Sequence, residues 1–193
     1  MIKATPSDKQ LVIKILTDSF ESNQSVNYIV KQDKQRLERI GALMDYSFEV
    51  CMEFGDVWLS NNRKACALVL YPQKKRTTLK AILLDVKLIL KAIGISNIKK
   101  ALDRESRIKA RQLKAPASYL WFIGVIPQDQ HAGIGSDLLT QVLADADKQG
   151  LPVILETSTM KNLPWYERFG FSVYDQLDLG YHLYFLKHET GKL

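Results

Sequence analysis

The chain has 193 residues, 46% of them hydrophobic and 25% charged, with a formal net charge of +6. That length supports one sizeable core, and the composition excludes disordered, collagenous and disulfide-scaffold classes. No apolar run approaches the roughly 18 residues of a transmembrane helix, so no membrane partner is expected.

The first ten residues, MIKATPSDKQ, lack the apolar core of a secretory signal, which leads us to expect a cytoplasmic protein. Cys51 and Cys66 form neither a metal pattern nor a disulfide framework and read as reduced, buried thiols. Residues 2–4 read as a short strand. In TPSD, Thr5 can cap, Pro6 suits the first helical position and Asp8 completes a capping box. Leu11, Ile15 and Leu16 continue that helix. A second helix fits about 33–54, with Leu37, Ile40, Met44, Phe48 and Cys51 at helical spacing.

The stretch DVWLSNNRKACALVLYP predicts a hairpin, with Asn61 and Asn62 supplying the positive φ of its turn. Its second arm is almost continuously apolar, the mark of a central strand. Residues 77–93 predict an amphipathic helix through Leu79, Ile82, Leu83, Val86 and Ile93, and 97–113 a basic helix. Residues 97–114 carry seven Lys or Arg against Asp103 and Glu105, a net +5. No aromatic residue lies in that stretch, so it reads as a solvated face, and a nucleic-acid partner is not expected.

SYLWFIGVI predicts a second buried strand stopped by Pro127. The helix 133–149 follows, with Ile134, Leu138, Val142 and Leu143 on one stripe and Gly150 ending it. PVILET is another strand and NLPWYERF a short helix closed by Gly170. FSVYDQLD and YHLYFLKHE form a final antiparallel hairpin at Gly180. The order βαα-ββ-αα-βαβα-ββ describes an α/β chain of the α+β type, a mixed sheet covered by helices.

Gly133 and Gly135 sit at a helix start, where each costs about 1 kcal/mol of propensity relative to alanine. A buried strand, a proline stop and a glycine loop before a helix make a site for an anion, because the helix N-terminus offers free amides and a positive dipole end. The dinucleotide fingerprint fails, since its third glycine would fall at Leu138. The Walker A loop fails for want of a lysine in GSD.

Gln130-His131-Ala132-Gly133-Ile134-Gly135 resembles the Q/R-x-x-G-x-G/A loop of the GNAT acetyltransferase superfamily. LWFIGVIP resembles that family's fourth strand, and WYERFGF its second signature. The resemblance covers 118–174 and looks most like the small-molecule and puromycin-type branch. It implies a single-domain GNAT fold over 1–193, with about six or seven strands flanked by helices and a splay between the fourth and fifth. The CoA-binding core would be 118–174, with the helical segment 75–115 between the third and fourth strands.

The resemblance also implies acetyl-CoA as cosubstrate, with an unidentified amine acceptor and no metal. The backbone of Ile123, Gly124 and Val125 would pair with pantetheine. Amides from Gln130 through Gly135, with Ser136 beyond them, would hold the pyrophosphate. Tyr166 matches the tyrosine that protonates the leaving thiolate, and Glu156 is a candidate base, direct or through water. Relatives carry an asparagine where this chain has Thr159, so Ser158 and Thr159 are weak candidates for holding CoA. The leading function is acetyl transfer to a small primary amine. A silent acyl-CoA sensor and an enzyme acting on a protein amine are the alternatives, and a homodimer is left open.

Overall fold

The computed structural model describes residues 1–191. The apolar run ACALVL becomes β3 (Ala65–Leu70), with every residue buried, as a central strand requires. β2 (Gly55–Leu59) and β4 (Ser118–Val125) flank it antiparallel, and β1 (Ile2–Lys3) adds to the outer edge of β2. β5 (Val153–Thr157) runs parallel to β4. β7 (His182–His188) is antiparallel to β5, and β6 (Ser172–Asp178) closes the far edge. The order is β1-β2-β3-β4-β5-β7-β6, a seven-stranded mixed sheet.

Helices cover both faces. α1 (Lys9–Phe20), α2 (Gln24–Ile29) and α3 (Arg36–Phe54) bury Val12, Leu16, Val26, Met44 and Phe48 with Leu68 of β3. On the other face α6 (Ile134–Lys148) and α7 (Leu163–Arg168) pack Leu138, Leu139, Val142 and Tyr166 against Ala67 and Leu155. Between β3 and β4 lie α4 (Leu79–Leu88), a π-helical turn (Ile89–Ile93) and α5 (Ile98–Lys109). Ile108 of α5 joins Leu177, Leu183 and Phe185 under the last hairpin. Cys51 and Cys66 are free and buried, and burial pushes both thiols up, out of the reactive range.

Several expectations need correction. The positive φ of the first hairpin turn falls on Arg63 (φ 59), not on Asn61 or Asn62. Asn62 serves the turn through its side chain, which accepts from Ser60 Oγ (2.7 Å) and Lys64 N (3.2 Å). α2 was not anticipated, although Asn23 caps it by accepting from Val26 N at 3.0 Å. Leu37 is half exposed rather than on the buried face of α3. Of the apolar residues expected along the amphipathic helix 77–93, Leu79, Ile82, Leu83 and Val86 of α4 are exposed, Ile93 in the π-helical turn is buried, and Leu84 is buried in α4 instead.

Gly55 shows why β2 and β3 sit so close. A Cβ there would lie 2.0 Å from the Val69 carbonyl oxygen, a backbone atom with no free rotation. Gly55→Ala should therefore destabilise the fold by about 3 kcal/mol, read as a lower urea midpoint. An unchanged midpoint would mean that β2 slides aside at no cost.

Candidate active site

β4 and β5 hold together only at Ser118↔Val153 and Tyr119↔Ile154. Beyond those pairs the strands part, and the β4 backbone that faces β5 from residue 120 onward has no strand partner. A register shift adds to the distortion. Leu68 pairs with Phe122 but Val69 with Leu120, which leaves Trp121 as an extra residue on β4. Such a bulge bends a strand and re-aims its side chains. Neither glycine nor proline marks this one in the sequence.

The opening leads into a cleft of about 1210 Å³. One wall is the loop between β4 and α6. Pro127–Asp129 makes a single tight turn, His131 takes a left-handed φ of 66, and Gly133 (φ 81) caps α6. Only glycine adopts that last conformation without strain. Gly135 is glycine for a different reason, since a Cβ there would sit 3.2 Å from Val125 Cγ2. Gln130 Nε2 donates to Val125 O (3.3 Å), tying the loop to the end of β4. The first amides of α6 are left pointing outward, as at any helix start.

Ile123, Gly124, Val125, Gln130, His131, Gly133, Gly135 and Ser136 line this cleft, as do Ser158, Thr159 and Tyr166. Ala132 and Ile134 belong to the loop but do not line it; Ala132 is exposed and Ile134 packs toward the α6 core. Ser158 Oγ lies 3.4 Å from Ser25 N and from Asn23 Oδ1, so it links the end of β5 to the start of α2. Phe20 at the end of α1 and Asn162 before α7 also reach the cleft, and so do three residues not anticipated from the sequence: Asn23 before α2, and His182 and Tyr184 from β7. The N-cap signal at Asn23 is the one trace of them in the sequence.

Tyr166 is buried between Trp165 (4.7 Å between centroids) and Phe171 (5.5 Å). Trp165 Nε1 donates to Ser136 Oγ (3.1 Å), which locks α7 to the start of α6. Burial pushes the Tyr166 phenol up, so it stays protonated at neutral pH.

Glu156 is half-buried and does not line the cleft. Its carboxylate accepts from Tyr119 Oη at 2.5 Å and from Gln112 Nε2 at 2.8 Å. Desolvation raises its pKa above the ordinary carboxyl range, against the opposing pull of those two hydrogen bonds and of Arg104. Arg104 in turn donates to Ser25 Oγ (2.6 Å) and Tyr181 Oη (3.2 Å), so α5 roofs this side of the sheet.

The sequence model of the acetyltransferase (GNAT) family matches residues 91–171. An uncharacterised N-acetyltransferase of Schizosaccharomyces pombe is 41% identical over 58 residues, which are 30% of this chain and 23% of that protein. The match thus spans under a quarter of the curated relative. A crystal structure from Corynebacterium glutamicum, described as histone acetyltransferase HPA2 and related acetyltransferase, overlays with a TM-score of 0.71 at 17% identity, covering 100% of this chain and 96% of that one. Arylalkylamine N-acetyltransferase 2 of Aedes aegypti overlays at 0.67 with 13% identity and 97% of each chain. The family's sequence pattern thus falls where β4 opens from β5 and the glycine loop caps α6, and residues 91–171 are similar to the GNAT acetyltransferase family.

Proposed function

We propose that the chain, in the cytoplasm, transfers the acetyl group of acetyl-CoA to a primary amine of a small molecule. The observation that carries this reading is the parting of β4 from β5 beside the glycine loop, with Tyr166 on the same cleft wall. A pantetheine arm suits that gap, because the unpaired β4 backbone can bond it like an added strand. The pyrophosphate suits the start of α6, where Gly133 and Gly135 keep side chains away from the amides.

Acetyl transfer then needs little more than alignment and two protons moved. The amine nitrogen attacks the thioester carbonyl, the C–S bond breaks, and the Tyr166 phenol gives its proton to the departing thiolate. The proton lost by the amine passes through a water relay to Glu156, which is set back from the cleft lining and which desolvation makes more basic than an ordinary carboxylate. Alignment in the cleft supplies on the order of 7–11 kcal/mol in favourable models. Arg104 ties α5 to Ser25, next in the chain to the cleft residues Asn23 and Gln24, and a cleft edge tied shut there favours a small acceptor over a protein chain.

The test is a screen of amines with acetyl-CoA, read as free thiol. Release with small amines and none with peptides is expected. Acetylation of peptides alone would overturn the small-molecule reading, and CoA binding without any release would leave a sensor.

Glu156→Gln keeps the shape and can keep both hydrogen bonds. It should slow transfer roughly tenfold, less than loss of a base in direct contact. It should also remove the acidic limb of the kcat/KM profile, since the limb comes from protonating this carboxylate as pH falls. A limb that persists in the variant would assign it to another group.

A further inference from the structure

α4 presents an apolar stripe to solvent. Leu79, Ile82, Leu83, Val86 and Leu90 fall at i, i+3, i+4, i+7 and i+11, one face of a helix. Leu79 is 82% exposed and Leu83 69%. Ile95 and Leu102 extend the face toward α5. Seven of the eleven exposed large hydrophobic residues among those described thus gather on one segment, where scattered ones would need no explanation.

The orientation of α4 is set by its other side. Tyr46 Oη donates to Asp85 (2.7 Å), Lys87 pairs with Asp45 (2.6 Å), and Lys80 pairs with Glu49 (3.3 Å) and Glu53 (3.2 Å). The apolar stripe therefore points outward from a helix pinned to α3.

The charge around the stripe selects what covers it. Residues 74–114 hold thirteen Lys or Arg and three acids, a net +10, so the rest of the chain is −4. Lys75, Arg76, Lys91 and Lys99 are exposed and have no ion-pair partner among the described residues. A second copy is disfavoured, because a two-fold contact would press this cationic face against itself. An open depression of about 330 Å³ beside Leu90 and Ile95 is edged by Lys31 and Arg39, which share Asp33. The segment exposes apolar residues along a helix with unpaired lysines beside them, the pattern of helices that lie in a bilayer interface.

We infer that the α4–α5 segment docks on an anionic membrane surface, with the leucines in the headgroup region and the free cations against lipid phosphate. Each cation near such a surface strengthens binding roughly fivefold, and each buried leucine roughly tenfold or more. This is independent of the acetyl-transfer reading, because docking needs neither CoA nor an acceptor.

The full chain should float with vesicles of phosphatidylcholine and phosphatidylserine mixed two to one, and much less with phosphatidylcholine alone. Added salt should weaken the association. Leu79→Glu with Leu83→Glu should cut binding about a hundredfold, and since both residues are exposed, the fold and CoA affinity should be unchanged. Lys75, Arg76 and Lys91 changed together to Glu should abolish the preference for phosphatidylserine. The proposal is overturned if the wild type does not float with the anionic vesicles, or if the double leucine variant floats equally well. It is also overturned if the wild type sediments as a dimer that this variant splits, which would make the face a self-interface.

Discussion

Tyr166→Phe is expected to slow single-turnover acetyl transfer by about a hundredfold while leaving CoA affinity and the melting temperature unchanged. The ring stays packed between Trp165 and Phe171, so the buried contacts survive. The hydroxyl makes no hydrogen bond to another described residue, so its removal strands no partner. What is lost is a proton donor held neutral by burial on the cleft wall. A thiol of pKa about 8.5 is already a fair leaving group near neutral pH, which limits the effect. Product release can hide the chemical step in steady state, so the single-turnover rate is the measurement to use. Transfer at the wild-type rate would make Tyr166 a packing residue and send the search for the donor elsewhere, with His182 and Tyr184 on the same cleft the first to test.

What the sequence makes legible here follows from local rules. β3 announces itself as an unbroken apolar run, because a central strand is covered on both faces. The glycine loop is legible because Gly133 occupies a conformation other residues resist. α4 shows the limit of such reading. Its apolar residues recur at helical spacing, but spacing does not say which side the rest of the protein will cover. The inward side was decided by Asp85, Lys87 and Lys80 finding partners on α3, about forty residues earlier in the case of Tyr46 and Asp85. Glu156 was placed at the right strand end, but its partners Gln112 and Tyr119 lie 44 and 37 residues away in sequence. The bulge at Trp121 carries no composition signal, since it arises from how β4 must bend between β3 and the opening.

Gly135→Asp should lower CoA affinity by about a hundredfold or more in calorimetry, with little change in the melting temperature without CoA. Two terms act on the ligand. The carboxylate places a negative charge in the first turn of α6, where the pyrophosphate would sit, and two unit charges 4 Å apart near a surface interact by about 4 kcal/mol. The new Cβ also narrows the gap, lying 3.2 Å from Val125 Cγ2. The terms that act on the free protein are smaller and partly cancel. Aspartate in the first turn favours the helix dipole by about 0.3–1 kcal/mol, against a shift of a few tenths of an ångström in Val125. Gly135→Ala separates the two causes, since it adds the Cβ without the charge. It should lose only a small part of the affinity if repulsion dominates, and most of it if the gap is what matters. Should Gly135→Asp bind CoA as tightly as the wild type, the pyrophosphate does not rest on α6, and the open edge of β4 would have to hold the ligand alone.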